Sequence, residues 1–238
     1  MSRPAHDQLV RRTVGCANRR RMNPRHETPS PSIADRFELW LSTGHAIDGL
    51  WIGGIRAKAI PKVEEAVQLI RQHDPRRYNR IRKDLSRIWV RLLPGHRASF
   101  DAAARACQLD DRFVLNAAPA DIALAIVHEA AHARINSYGI AYAEDQRLRI
   151  EMACRKQEMA FARRVPPSAE LQEELRLWFA SPPSPDVWTD AAMERSLMEG
   201  AAEVFQHLGV PTRLIPILMW PRKPITAFRR LLSQYARS

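Results

Sequence analysis

The run His128-Glu129-Ala130-Ala131-His132 puts two imidazoles and a carboxylate within five consecutive residues. On a helix, side chains four apart stand one turn above the other on the same face. Two imidazole nitrogens placed that way can grip one zinc ion at about 2.0–2.1 Å. Glu129 is rotated off the pair, within reach of a water at the metal but not needed as a ligand. The intervening alanines keep helix propensity high and leave room beside an ion.

A catalytic zinc takes three protein ligands and keeps its fourth position open. Glu151 follows His132 with eighteen residues between, on a segment that reads as a second helix over Ala143–Val165 after a turn at Gly139. Glu144 and Glu158 flank it seven residues to either side. A seven-residue step rotates a helix by only about 20°, so all three point in nearly the same direction. They differ in height by roughly 10 Å per step. Counting back from Gly139, Glu151 is expected level with the histidines, Glu144 too close to the turn and Glu158 beyond His128. Any of the three remains open as the third ligand, with Glu151 favoured.

Two histidines and a motif glutamate followed at this spacing by a further glutamate resemble the gluzincin group of metallopeptidases, the thermolysin-like and aminopeptidase-like enzymes. The resemblance spans residues 112–165. It implies zinc held by His128, His132 and Glu151, a water activated by Glu129, and a peptide or protein as substrate. Two positions depart from the family's pattern. Arg134 stands where an apolar residue is usual, and Arg155 where many members carry an aspartate that orients a histidine. The pattern therefore does not say which group sets the histidine tautomers.

An oxyanion formed at such a site needs an electrophilic partner. Tyr138, Tyr142 and Arg134 are candidates, each also compatible with ordinary packing or surface. Cys154, one turn beyond Glu151, reads as small core filler. Glu199, Glu203 and His207 repeat at four-residue spacing and read as a solvated face.

These groups must be positioned by a fold. The expectation is an α+β, mostly helical, zincin-like domain over residues 33–211. A disordered basic tail (1–32) would precede it, and a basic amphipathic segment (212–238) would follow. Ile33–Ile60 opens with the amphipathic IADRFELWLS and continues into GLWIGGI, a strand or a turn. Helices are predicted over Pro61–His73, Arg76–Ser86, Ser168–Ala180 (with Leu171, Leu175 and Trp178 in register) and Asp186–Leu208. Strands are predicted over Arg87–Leu93 and over Arg112–Asn116 (RFVLN), the latter leading into Pro119 at the start of the histidine helix. Ser99–Gln108 is open between a small helix and an irregular strand. With RFVLN it would complete a small sheet whose edge flanks the metal.

The chain of 238 residues carries a net charge of +11. Residues 1–32 contribute +5 and residues 212–238 contribute +6, so the middle is neutral. That distribution argues against a basic binding face and leaves only weak polyanion contact through the tails. Arginine outnumbers lysine 32 to 5. Three scattered cysteines (Cys16, Cys107, Cys154) with no CxxC pair argue against a disulfide scaffold. With no apolar run of membrane-spanning length, a cytoplasmic protein is expected. Two other readings compete with the zinc hydrolase: a non-catalytic zincin-like interaction protein with a structural metal, and a basic nucleic-acid binder. The apolar run LIPILMW reads as core packing or a dimer contact.

Overall fold

The computed structural model describes residues 32–219. The basic tail, Cys16 and the amphipathic TAFRRLLSQYA all lie outside the described residues. An α+β fold, mostly helical, is built on one five-stranded mixed sheet. Helix α1 (Ile33–Leu41) leads into strands β1 (Thr43–Ile47) and β2 (Leu50–Gly54), then helices α2 (Ile60–His73) and α3 (Pro75–Asp84). Strands β3 (Arg87–Arg91), β4 (Ala98–Asp101) and β5 (Ala106–Asp110) follow. The rest is helical: α4 (Asp111–Asn116), α5 (Pro119–Ser137), α6 (Glu144–Ala162), α7 (Ala169–Ala180), α8 (Asp190–His207) and the short α9 (Ile215–Met219).

The strand order is β1-β2-β3-β5-β4. The three central strands run parallel, and β1 and β4 close the two edges antiparallel to their neighbours. GLWIGGI is thus a strand, because alternate residues Leu50 and Ile52 drop into the core. The ambiguous Ser99–Gln108 resolves into two antiparallel strands. They are joined by a turn in which Asp101 accepts hydrogen bonds from the amides of Ala103 and Ala104 and Arg105 takes a positive φ of 47°.

RFVLN is not a strand. Asp110 ends β5 and its carboxylate accepts hydrogen bonds from the amides of Arg112 and Phe113, which starts a helix there. Val114 alone of the five is fully buried, so the segment's apolar run fills a helical turn instead of a sheet position. The sheet is completed by β4, and β4 is the edge that lies beside α5.

Helix α5 is the central element. Pro119 occupies its first turn, and Ile122, Leu124, Ile126 and Val127 are buried on it, packed against α2 and α6. Such all-round burial is what a charge-free run permits. Gly139 (φ +76°) ends the helix and lets the chain turn back into α6. Helix α7 begins where Ser168 accepts a hydrogen bond from the Leu171 amide. Leu171 and Leu175 are buried, and Trp178 is half-buried. The predicted Asp186–Leu208 helix is divided into a 3-10 turn at Pro185–Trp188 and α8. Thr189 divides them, its hydroxyl capping α8 through the Ala192 amide. No helix among the described residues is long and apolar enough to cross a membrane.

Asp74 joins three helices. It caps α3 through the Arg77 amide, binds the Arg77 side chain, and reaches Arg164 beyond the end of α6 at 2.9 Å. Burial raises its pKa, but the Arg77 hydrogen bonds and the nearby Arg164 charge more than offset this and hold the carboxyl below its ordinary value. Its stabilisation is therefore present above the unfolded carboxylate pKa and is lost as pH falls through the folded value. Asp74→Ala is expected to cost about 1–2 kcal/mol at neutral pH, as for other lost caps. Urea unfolding should show this gap to the wild type closing on acidification.

Candidate metal centre

Helices α5 and α6 pack side by side as the largest helix pair of the fold, and their facing residues converge. His128 Nε2 lies 3.1 Å from His132 Nε2. Glu151 brings one carboxylate oxygen to 3.3 Å from His128 Nε2 and the other to 3.3 Å from His132 Nε2. Three donors thus surround one point. In a tetrahedral zinc site with bonds of about 2.0–2.1 Å, ligand atoms stand about 3.3–3.4 Å apart. The observed spacing fits a small divalent cation at that point, and the two imidazoles and carboxylate are the donor types zinc takes.

The two other glutamates of the α6 stripe are elsewhere. Glu144 sits at the start of α6, accepting a hydrogen bond from the Asp190 amide at 2.9 Å. Glu158 reaches the far side of the same imidazole, 3.1 Å from His128 Nδ1. A carboxylate on the non-ligating nitrogen is what orients a metal-binding histidine and sets its tautomer. Arg155 completes this group: its Nη1 is 3.1 Å from Glu158, and its guanidinium lies over the Trp178 ring of α7. Arg155 therefore secures the glutamate that contacts the second nitrogen of His128.

Tyr142 donates its hydroxyl to Glu151 at 2.6 Å and packs edge-on against the His132 ring. In this arrangement it steadies the carboxylate. Arg134 pairs with Asp84 at 3.3 Å and covers the exposed Tyr138 ring, lining a separate groove between α3, α5 and α6. Neither Arg134 nor Tyr138 lines the cleft over the histidines.

That cleft, about 520 Å3, is bounded by α5, α6, the edge strand β4 and the residues Trp188 and Met193. Glu129 lines it, is only 6 % exposed, and makes no hydrogen bond to another described residue. Burial raises its pKa above the usual carboxylate range. Burial alone would lower the His128 imidazole, but hydrogen bonds to Glu151 and Glu158 prevail and push it up to about 10. Glu151 is held well below its usual value: burial opposes this, and the two imidazoles outweigh it. His128 therefore retains a proton at neutral pH, and a cation bound there would displace it.

His96 is a cleft residue that the sequence reading missed. It is half-buried, burial lowers its pKa, and the Glu151 charge acts on it. It follows the Pro94-Gly95 turn, where Gly95 adopts a φ of +71°. There α8 presses on the turn so closely that a Cβ on Gly200 would lie 1.8 Å from the Gly95 nitrogen. The Pro-Gly-His sequence at the end of a strand was the available signal. Its distance from the motif, 32 residues before His128, concealed it. The stripe Glu199–Glu203–His207 does not approach the cleft: Glu203 faces Arg112 at 3.8 Å and His207 faces Arg56 at 3.3 Å.

No protein family, curated protein or solved structure matches the chain.

Removing the Glu158 carboxylate should loosen metal binding without removing a ligand. Glu158→Gln is expected to weaken zinc by about 10–100-fold, the usual effect of losing an orienting carboxylate. Glu144→Ala should leave the affinity unchanged. Competition with a chromophoric chelator measures both.

Proposed function

We propose that this protein is a zinc-dependent hydrolase, a metallopeptidase that cleaves a peptide bond. The observation that supports this most is the convergence of His128, His132 and Glu151 at 3.1–3.3 Å on one wall of an open cleft that Glu129 also lines. His128, His132 and Glu151 would hold the ion. Zinc, when bound, supplies Lewis-acid activation of a water and of the substrate carbonyl.

The chain's own residues carry the remaining work. Glu129, whose carboxylate has no hydrogen bond to another described residue and whose pKa burial raises, accepts a proton on a carboxylate oxygen as water attacks the carbonyl carbon. It then delivers that proton to the leaving amine nitrogen. Glu158 and Arg155 keep the His128 ring aimed at the site, and Tyr142 does the same for Glu151. His96, kept neutral by its lowered pKa, is the cleft imidazole available to donate a hydrogen bond to a developing oxyanion.

Substrate class follows from the edge strand. Among the described residues β4 pairs with β5 alone, which leaves its other backbone edge beside the cleft that Ala98, Ser99 and Phe100 line. An extended peptide can add to such an edge through main-chain hydrogen bonds. Phe100, Phe113 and Ile140 give the cleft apolar surface for side chains.

A second reading has one observation in its favour. The Cys154 sulfur and one nitrogen each of His128 and His132 lie within 4.8 Å of one another, and a fourth protein donor is the mark of a structural zinc. The nucleic-acid reading has no such support. The basic excess lies in the terminal segments, and the cleft is lined by acids and imidazoles.

Glu129→Gln separates binding from chemistry. The amide preserves shape, so zinc content should equal that of the wild type while cleavage falls by about 100-fold or more. Mass spectrometry of a peptide library incubated with each protein provides the comparison. Equal cleavage by the variant would exclude Glu129 as the base.

A further inference from the structure

Cys154 has no task in the mechanism above, yet it stands inside the site. It lies one turn beyond Glu151 on the same face of α6, and its side chain is fully buried. Its sulfur belongs to a group of three donors, with one nitrogen of His128 and one of His132, all within 4.8 Å of one another. Among the described residues it has no hydrogen-bond partner. The other described thiol, Cys107, is equally buried on β5 but joins no such group.

We propose that Cys154 is an additional metal ligand of this site, able to close it against solvent. Thiolate is a strong ligand for zinc and for softer ions, with a bond of about 2.3 Å. The approach requires no oxidant: the S–H bond breaks, the proton leaves to solvent, and sulfur donates its pair to the cation. The Glu151 oxygens lie 3.3 Å from the imidazole nitrogens, and the thiol lies within 4.8 Å of them. Glu151 and the imidazoles hold the ion, and Cys154 takes the remaining position when substrate and water do not. The inference rests on the zinc reading and adds a ligand to it.

Cobalt(II), titrated into the full chain, reports the ligand directly. The wild type should bind cobalt with visible d–d bands and a near-ultraviolet sulfur-to-cobalt charge-transfer band. Cys154→Ser should keep the d–d bands and lose the charge-transfer band, while Cys107→Ser and Cys16→Ser should keep both. Cys154→Ala gives the same loss should the serine variant fold poorly. Visible bands without the charge-transfer band in the wild type, or that band surviving Cys154→Ser, would overturn the proposal and leave the three-ligand site standing. Absence of cobalt binding in the wild type would overturn both.

Discussion

Three buried carboxylates meet two half-buried imidazoles between α5 and α6, and the arrangement of the molecule answers to that clustering. Glu129, Glu151 and Glu158 are each less than 8 % exposed. Unpaired buried charge is costly, and like charges at close range add to the cost. Only Glu158 has an arginine within hydrogen-bond reach, Arg155 at 3.1 Å. The imidazoles neutralise part of the remainder, and a divalent cation at the point where three donors converge would supply more. A core designed for stability alone would place leucines here.

The surroundings follow from keeping that cluster in register. The all-apolar flank of α5 anchors it on α2, and Asp121 accepts a hydrogen bond from the Ser168 amide, tying the start of α5 to the start of α7. On the other side, Arg147 binds the Trp188 carbonyl and pairs with Asp190, and Glu144 accepts from the Asp190 amide. These contacts bring Trp188 to the cleft wall. Arg91 performs a comparable task at the back of the sheet, pairing from within β3 with Asp35 and Glu38 of α1. The polar bonds thus tie α7 and α8 to the α5–α6 pair around the cleft.

Much of this was legible because it is local. The histidine helix, its proline start and the glycine that ends it follow from residue type and 3.6-residue periodicity. So does the choice of α6 as the helix bearing the third carboxylate. What was not legible depends on pairing across the chain. RFVLN has strand-like composition, but Asp110 caps a helix there, and the sheet edge comes instead from Ala98–Asp101. Counting heights along α6 treated Glu158 as a rival to Glu151. An imidazole has two nitrogens, and Glu158 reaches the second one. His96 could be found only once β3 and its turn were folded beside α5.

The central claim is that two histidines of α5 and a glutamate of α6 form one metal site. The most direct test is the zinc content of the full chain purified without added metal, compared with the His128→Ala/His132→Ala double variant. One zinc ion per chain in the wild type and none in the folded double variant is the predicted result. Equal zinc in the two proteins, or a wild type that takes up none even when zinc is supplied, would contradict it.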